Sequence, residues 1–219
     1  MPVVRHARPR EDGARGDAGR RRRRRDRPPG PPRRRAREPR PAVTPAVAVF
    51  GIGNRSRGDD ALGPLLLDRL RDWLEGQGLA AGFELFEEYQ LQVENALDLE
   101  GRRLALFIDA CRDSPVPVAF GPVAAAPSLA GHSTHALPPG GVLGVFARVS
   151  AEAAPPAYLL AVRGTAFALG APLSEAAGRA LEEAWELLRE LARCPGHAEW
   201  QTMASVARAP RDCLPDPAP

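Results

Sequence analysis

Aromatic residues are scarce, at 5% of 219 positions, which leaves no stacking platform of the kind that single-stranded nucleic acid binders use. Cysteine is scarcer still. Cys111, Cys194 and Cys213 are odd in number, widely spaced and without a C-x-x-C pair. That pattern fits free thiols in a reducing cytoplasm better than a disulfide framework. No apolar run approaches the roughly 20 residues that span a bilayer, so no membrane anchor is expected. The run Arg20–Arg25 is followed by Asp-Arg-Pro-Pro-Gly-Pro-Pro and not by an apolar segment, which argues against twin-arginine export. Two catalytic signatures are missing as well. There is no G-x-S-x-G elbow for a serine nucleophile and no H-E-x-x-H helix for a stored zinc.

What is present is unevenly spread. The formal charge of +3 averages two unlike pieces. Residues 1–45 hold 16 arginines against Glu11, Asp12, Asp17, Asp26 and Glu38, a balance of +11. The rest of the chain holds 14 arginines against 22 acids, or −8. An acidic domain thus follows a basic leader. The leader is nearly all Arg, Pro, Gly, Ala and acids, without hydrophobic periodicity, and is expected to be disordered because it has too little apolar surface to bury. Two readings of it stay open. It is an electrostatic arm for nucleic acid or an acidic partner, or an extension without function from a start codon set too far upstream.

The domain is expected over residues 46–193. Ala46-Val-Ala-Val-Phe50 reads as a fully buried strand, and Gly51–Asp60 as a loop. Ala61–Glu75 carries Leu62, Leu65, Leu66, Leu70 and Leu74 at helical spacing, with Gly76 and Gly78 to end it. Phe83–Glu88, Leu104–Asp109, Val116–Val123 and Tyr158–Val162 read as further strands, and Pro117 assigns the fourth to an edge or to a strand start. Val142–Val149 is a short helix. Ser174–Arg193 is a longer one, with Ser174 as N-cap and Leu181, Ala184, Trp185, Leu188 and Leu191 on one face. Residues 194–219 return to Pro, Arg and Asp and are expected to be a flexible tail. Strands alternating with helices imply a three-layer α/β/α sandwich on a mostly parallel sheet of about five strands, of the phosphorylase/hydrolase-like kind.

In such a sheet, ligands gather beyond the carboxyl ends of the strands. Three polar features fall there: Asp59-Asp60 after strand one, Asp109 at the end of an otherwise apolar strand, and His132/His135 in the long loop after strand four. A carboxylate ending a buried strand needs water, a partner or a metal. Two carboxylates and one imidazole make an incomplete shell for a borderline divalent ion, with positions left for substrate or water. Blander readings also fit. Asp59-Asp60 suits the positive end of a helix dipole, Asp109 suits a turn cap, and Cys111 suits a packing thiol. G-x-G-N resembles a dinucleotide fingerprint, but its third glycine is replaced by Ser56, which disfavours a nucleotide.

The order of these features resembles one family. Gly51-x-Gly53-Asn54-x-x-x-Gly-Asp-Asp60-x-x-Gly63-Pro64, then Phe-Ile-Asp109-Ala, then Ser-Thr-His135, resembles the hydrogenase maturation endopeptidases from about Ala46 to Ala192. The resemblance implies an aspartic-type endopeptidase that removes a C-terminal peptide from the large-subunit precursor of nickel–iron hydrogenase. It implies that Asp60, Asp109 and His135 bind the nickel supplied by that precursor, with Asp60 and Asp109 also the catalytic carboxylates. Some members have Glu where this chain has Asp60. Gly53, Asn54 and Glu87 are the expected substrate-binding positions. The stretch from Glu87 to Asp98 looks like the version in members that serve NAD-reducing hydrogenases. A cytoplasmic monomer is the expected form. A rival from another class is a binding module recruited to nucleic acid or an acidic partner by the arginine arm.

Overall fold

The computed structural model describes residues 44–126 and 137–206. Most of the leader, the loop with His132 and His135, and residues 207–219 lie outside the described residues.

Among the described residues five strands form one sheet: β1 Val47–Ile52, β2 Phe83–Glu88, β3 Leu104–Cys111, β4 Val118–Pro122 and β5 Ala157–Arg163. Their order is β2-β1-β3-β5-β4, with β4 antiparallel to β5 and the other pairs parallel. Four helices accompany them: α1 Leu62–Gln77, α2 Pro139–Val149, α3 Glu175–Arg193 and α4 His197–Val206. Strict alternation along the strands divides the core in two. Val47, Val49, Leu104, Leu106, Ile108, Leu160 and Val162 meet α1, α3 and α4 on one face. Ala48, Phe50, Ala105, Phe107, Leu159 and Ala161 meet α2 and the 3-10 segment Val93–Leu99 on the other. A sheet covered on both faces needs apolar side chains both ways, and all six residues of β1 are buried. This is the three-layer sandwich that the alternation of elements implied.

Local signals explain most boundaries. Gly78, at φ 68°, closes α1 in the left-handed conformation that glycine tolerates. Ser174 caps α3, its hydroxyl accepting from Ala177 N at 3.1 Å. Pro117 stands just before β4, which is an edge strand.

Three expectations are corrected. β3 runs on through Ala110 to Cys111, so Asp109 is its sixth residue and not its last. The segment after residue 194 is not all tail, since α4 returns to the sheet and buries Trp200. The indole ring stands edge-on to Phe120 and Tyr158, and its Nε1 donates to Leu191 O at 3.0 Å. Finally, Cys111 is buried and disulfide-bonded, whereas Cys194 is a free, exposed thiol.

Candidate active site

The spaced glycines bring the loop after β1 back over the sheet. Gly53 has φ 134°, and a Cβ there would fall 1.9 Å from Asp60 O. A Cβ on Gly63 would fall 2.3 Å from Ile52 O and 2.8 Å from Ile108 O. The first turn of α1 therefore lies directly on β1 and β3, and the 3-10 turn Gly58–Ala61 delivers Asp60 to the end of the sheet. Asn54 fixes the approach. Its N–H donates to Asp60 Oδ2 at 3.0 Å, its Oδ1 accepts from Ser56 N at 2.8 Å, and its Nδ2 donates to Tyr89 OH at 3.2 Å.

The topology explains why a cleft forms here. From β1 the chain goes to β2 on one side and then crosses to β3 on the other. Loops leaving β1 and β3 diverge at that switch point, where open α/β sheets bind ligands. Asp60 follows β1, and Asp109 lies near the end of β3 on the α2 face. Burial pushes the Asp109 carboxyl up to about 8, the negative charge of Asp60 pushes it the same way, and the Ala110 N–H opposes both. The two expected catalytic carboxylates are thus close enough for one to disfavour ionisation of the other.

Adjacent Asp59 has a different task, which the sequence alone did not reveal. It is fully buried and accepts from Thr165 N at 2.6 Å, Ala166 N at 2.9 Å, Ser174 N at 2.7 Å and Ser174 Oγ at 2.8 Å. Burial works to raise its pKa, but these donors outweigh burial and hold it below the ordinary aspartate value. Asp59 therefore ties the start of α1 to the loop before α3. Its partners lie 106 to 115 positions later, too far for a local pattern to show.

Glu87 is engaged by an arginine. It stands at the exposed end of β2, one residue before Glu88, and Arg55 grips it at 2.6 and 2.8 Å. Arg55 also reaches Asp68 at 2.7 Å. Its hydrogen bonds hold the Glu87 carboxyl below the usual range. The structure thus brings together Gly53, Asn54, Asp60 and Asp109. His135 lies outside the described residues, and among the described residues no group of three His, Cys, Asp or Glu is arranged to hold a metal. A divalent ion fits the two carboxylates, whose crowded charges it would relieve, but needs a further donor. No helix among the described residues is long and apolar enough to cross a membrane.

Fold and site together define a three-layer α/β protein with a carboxylate pair at its switch point. Solved structures with a similar fold are known. A [NiFe] hydrogenase maturation protease, HycI, from Thermococcus kodakarensis KOD1 shares 23% identity at a TM-score of 0.51, covering 69% of this chain and 94% of its own. The hydrogenase maturating endopeptidase HybD from E. coli shares 19% at a TM-score of 0.52, covering 68% and 93%. An endopeptidase from Escherichia coli, solved in solution, shares 19% at 0.50, with the same coverage. At these identities the likeness establishes the fold, over nearly the whole length of each neighbour. No family model and no curated protein matches the sequence.

Proposed function

We propose that this chain is an endopeptidase that removes the C-terminal extension from the nickel-loaded precursor of a nickel–iron hydrogenase large subunit. The observation that carries the reading is the pair Asp60 and Asp109, converging at the switch point of a fold similar to that of named maturation endopeptidases. The client supplies the nickel. Asp60, Asp109 and His135 grip it, so that cleavage waits until metal loading is finished. Carboxylate oxygens and an imidazole suit a borderline divalent ion and leave positions for the client's own groups.

Two routes to hydrolysis are compatible with these residues. Held by Asp60, Asp109 and His135, the client's ion would supply Lewis-acid chemistry, toward the scissile carbonyl or the attacking water. Alternatively, Asp60 or Asp109 takes the proton from that water as general base. In either route the water oxygen adds to the carbonyl carbon, the C–N bond breaks, and the leaving amine receives a proton. Gly53 and Asn54 shape the loop beside the scissile bond, and Glu87 acts at the rim through Arg55. The reading carries with it a cytoplasmic, monomeric enzyme, and the Glu87–Asp98 stretch points to a client of the NAD-reducing class.

The test is cleavage of nickel-loaded precursor by Asp60→Asn, Asp109→Asn and His135→Ala, each checked for folding. Losses of roughly 100-fold or more are expected, the range for removal of a general base. Nickel-free precursor should stay uncut. Retained cleavage by the Asp109 or His135 variant would remove the metal-recognition model.

A further inference from the structure

The loop between β5 and α3, residues 164–174, is not used by the proposed chemistry, yet it is firmly built. Asp59 holds both its ends. Asp59 N donates to Ala166 O at 2.8 Å, Gly170 N to Ser56 O at 2.7 Å, and Arg57 Nε to Phe167 O at 3.1 Å. Gly58 packs so tightly that a Cβ there would fall 2.5 Å from Ala166 O. The loop is therefore a ledge locked to the same turn that delivers Asp60.

Positive charge gathers about the aromatic ring of that ledge. The Arg112 guanidinium lies 4.3 Å from the centroid of half-buried Phe167. Arg57 reaches the backbone of the same residue, and Gly164 packs under its ring. Arg163, beside Cys111 in the β3–β5 register, shares a strand face with Ala161, the neighbour of Asp109. Elsewhere in this acidic domain Arg55, Arg69, Arg71, Arg102, Arg179 and Arg189 each pair with a carboxylate. Arg57 and Arg163, like Arg103 and Arg193, have no carboxylate partner among the described residues; the first two are the ones that stand at the ledge. Leu169, exposed at 78%, adds an apolar contact on the same ledge. Arginines thus stand at the ledge and, at Arg163, on the strand face next to Asp109.

We propose that the ledge, with Arg57, Arg163 and Phe167, is a docking subsite for an acidic peptide segment, one that presents Asp, Glu or a terminal carboxylate. The arginines attract the carboxylates of such a segment, and Phe167 and Leu169 add apolar contact. The inference rests on the peptidase reading in that the segment belongs to the C-terminal region of the client.

The experiment measures anisotropy of a short fluorescein-labelled Ala/Glu peptide and its Ala/Gln counterpart on the full chain. The Arg57→Gln/Arg163→Gln double variant should lose about five- to tenfold of the preference for glutamate, as two partly exposed charge contacts would give. Arg103→Gln, at the opposite end of β3, should leave it unchanged. The arginine leader is present in every variant and contributes equally. Arg163→Glu alone, which removes the same two units of positive charge, guards against misfolding of the double variant and should lose a similar share of the preference. A preference kept within about twofold in folded double and Arg163 variants would overturn the proposal, as would an equal loss in the Arg103 variant. Precursor cleavage run in parallel separates the two readings. A raised KM in the double variant supports the subsite. Wild-type protein that fails to cleave while keeping the arginine-dependent preference sinks the peptidase reading and leaves the subsite standing.

Discussion

Asp59, Asp60 and Asp109 are chemically identical side chains in three employments, and their surroundings decide which. Asp59 receives enough N–H and O–H donors that its charge is welcome in the interior. Asp109 receives the Ala110 amide and the repulsion of Asp60, and its charge is unwelcome. That difference has a thermodynamic consequence. An unfolded aspartate loses its proton near pH 3.9, whereas folded Asp109 holds it up to about pH 8. Between those values the folded state binds the extra proton, so this group's contribution is intact below pH 4 and is lost as pH rises toward 8. Asp109→Asn removes the penalty. The metal-free variant should be more stable than wild type by about 1–3 kcal/mol at pH 8, discounted for solvent relaxation, with the gap closing near pH 4. Thermal melts across that range test it. A variant less stable than wild type at pH 8 would show that the Asp109 carboxylate is comfortably solvated, and the strained carboxylate pair would go with it.

At the scale of elements, what was legible depended on how much apolar surface each segment carries. The five strands and α1 and α3 announced themselves through runs or stripes of Val, Leu, Ile and Phe that a covered sheet requires. The motif around Gly53 and Asp60 was legible for a related reason, because close approach of α1 to the sheet demands glycine at fixed positions. The role of Asp59 was not, since its partners come from the far side of β5. Nor was α4, whose lone fully buried side chain, Trp200, gives no helical stripe. Yet that one indole fills the face of the sheet beside Phe120 and Tyr158 and hydrogen-bonds Leu191 O. Trp200→Ala should cost about 3–5 kcal/mol, the range for large aromatics in cores, and lower the melting temperature by roughly 10 °C. A loss under about 1 kcal/mol would mean that α4 is an ornament on the fold and would restore the flexible tail from residue 194.

Across the whole molecule, the charge asymmetry and the anchoring of the sheet argue for the same boundary. The first described residues are already fastened. Arg102 Nη1 donates to Pro45 O at 2.9 Å, Ala46 O accepts from Arg103 N at 2.8 Å and Leu104 N at 3.2 Å, and Thr44 packs beside Gly101. Every one of these contacts involves residue 44 or later, as do both core clusters. A chain starting at residue 43 keeps them all while shedding nearly all of the +11 leader. Its melting temperature and its rate of precursor cleavage should match those of the full chain, while any affinity for nucleic acid should fall along with its salt dependence. Unfolding or loss of cleavage on removal of residues 1–42 would make the leader part of the working enzyme. Retained, salt-sensitive nucleic acid binding would move that function onto the acidic domain, where the binding-module reading does not expect it.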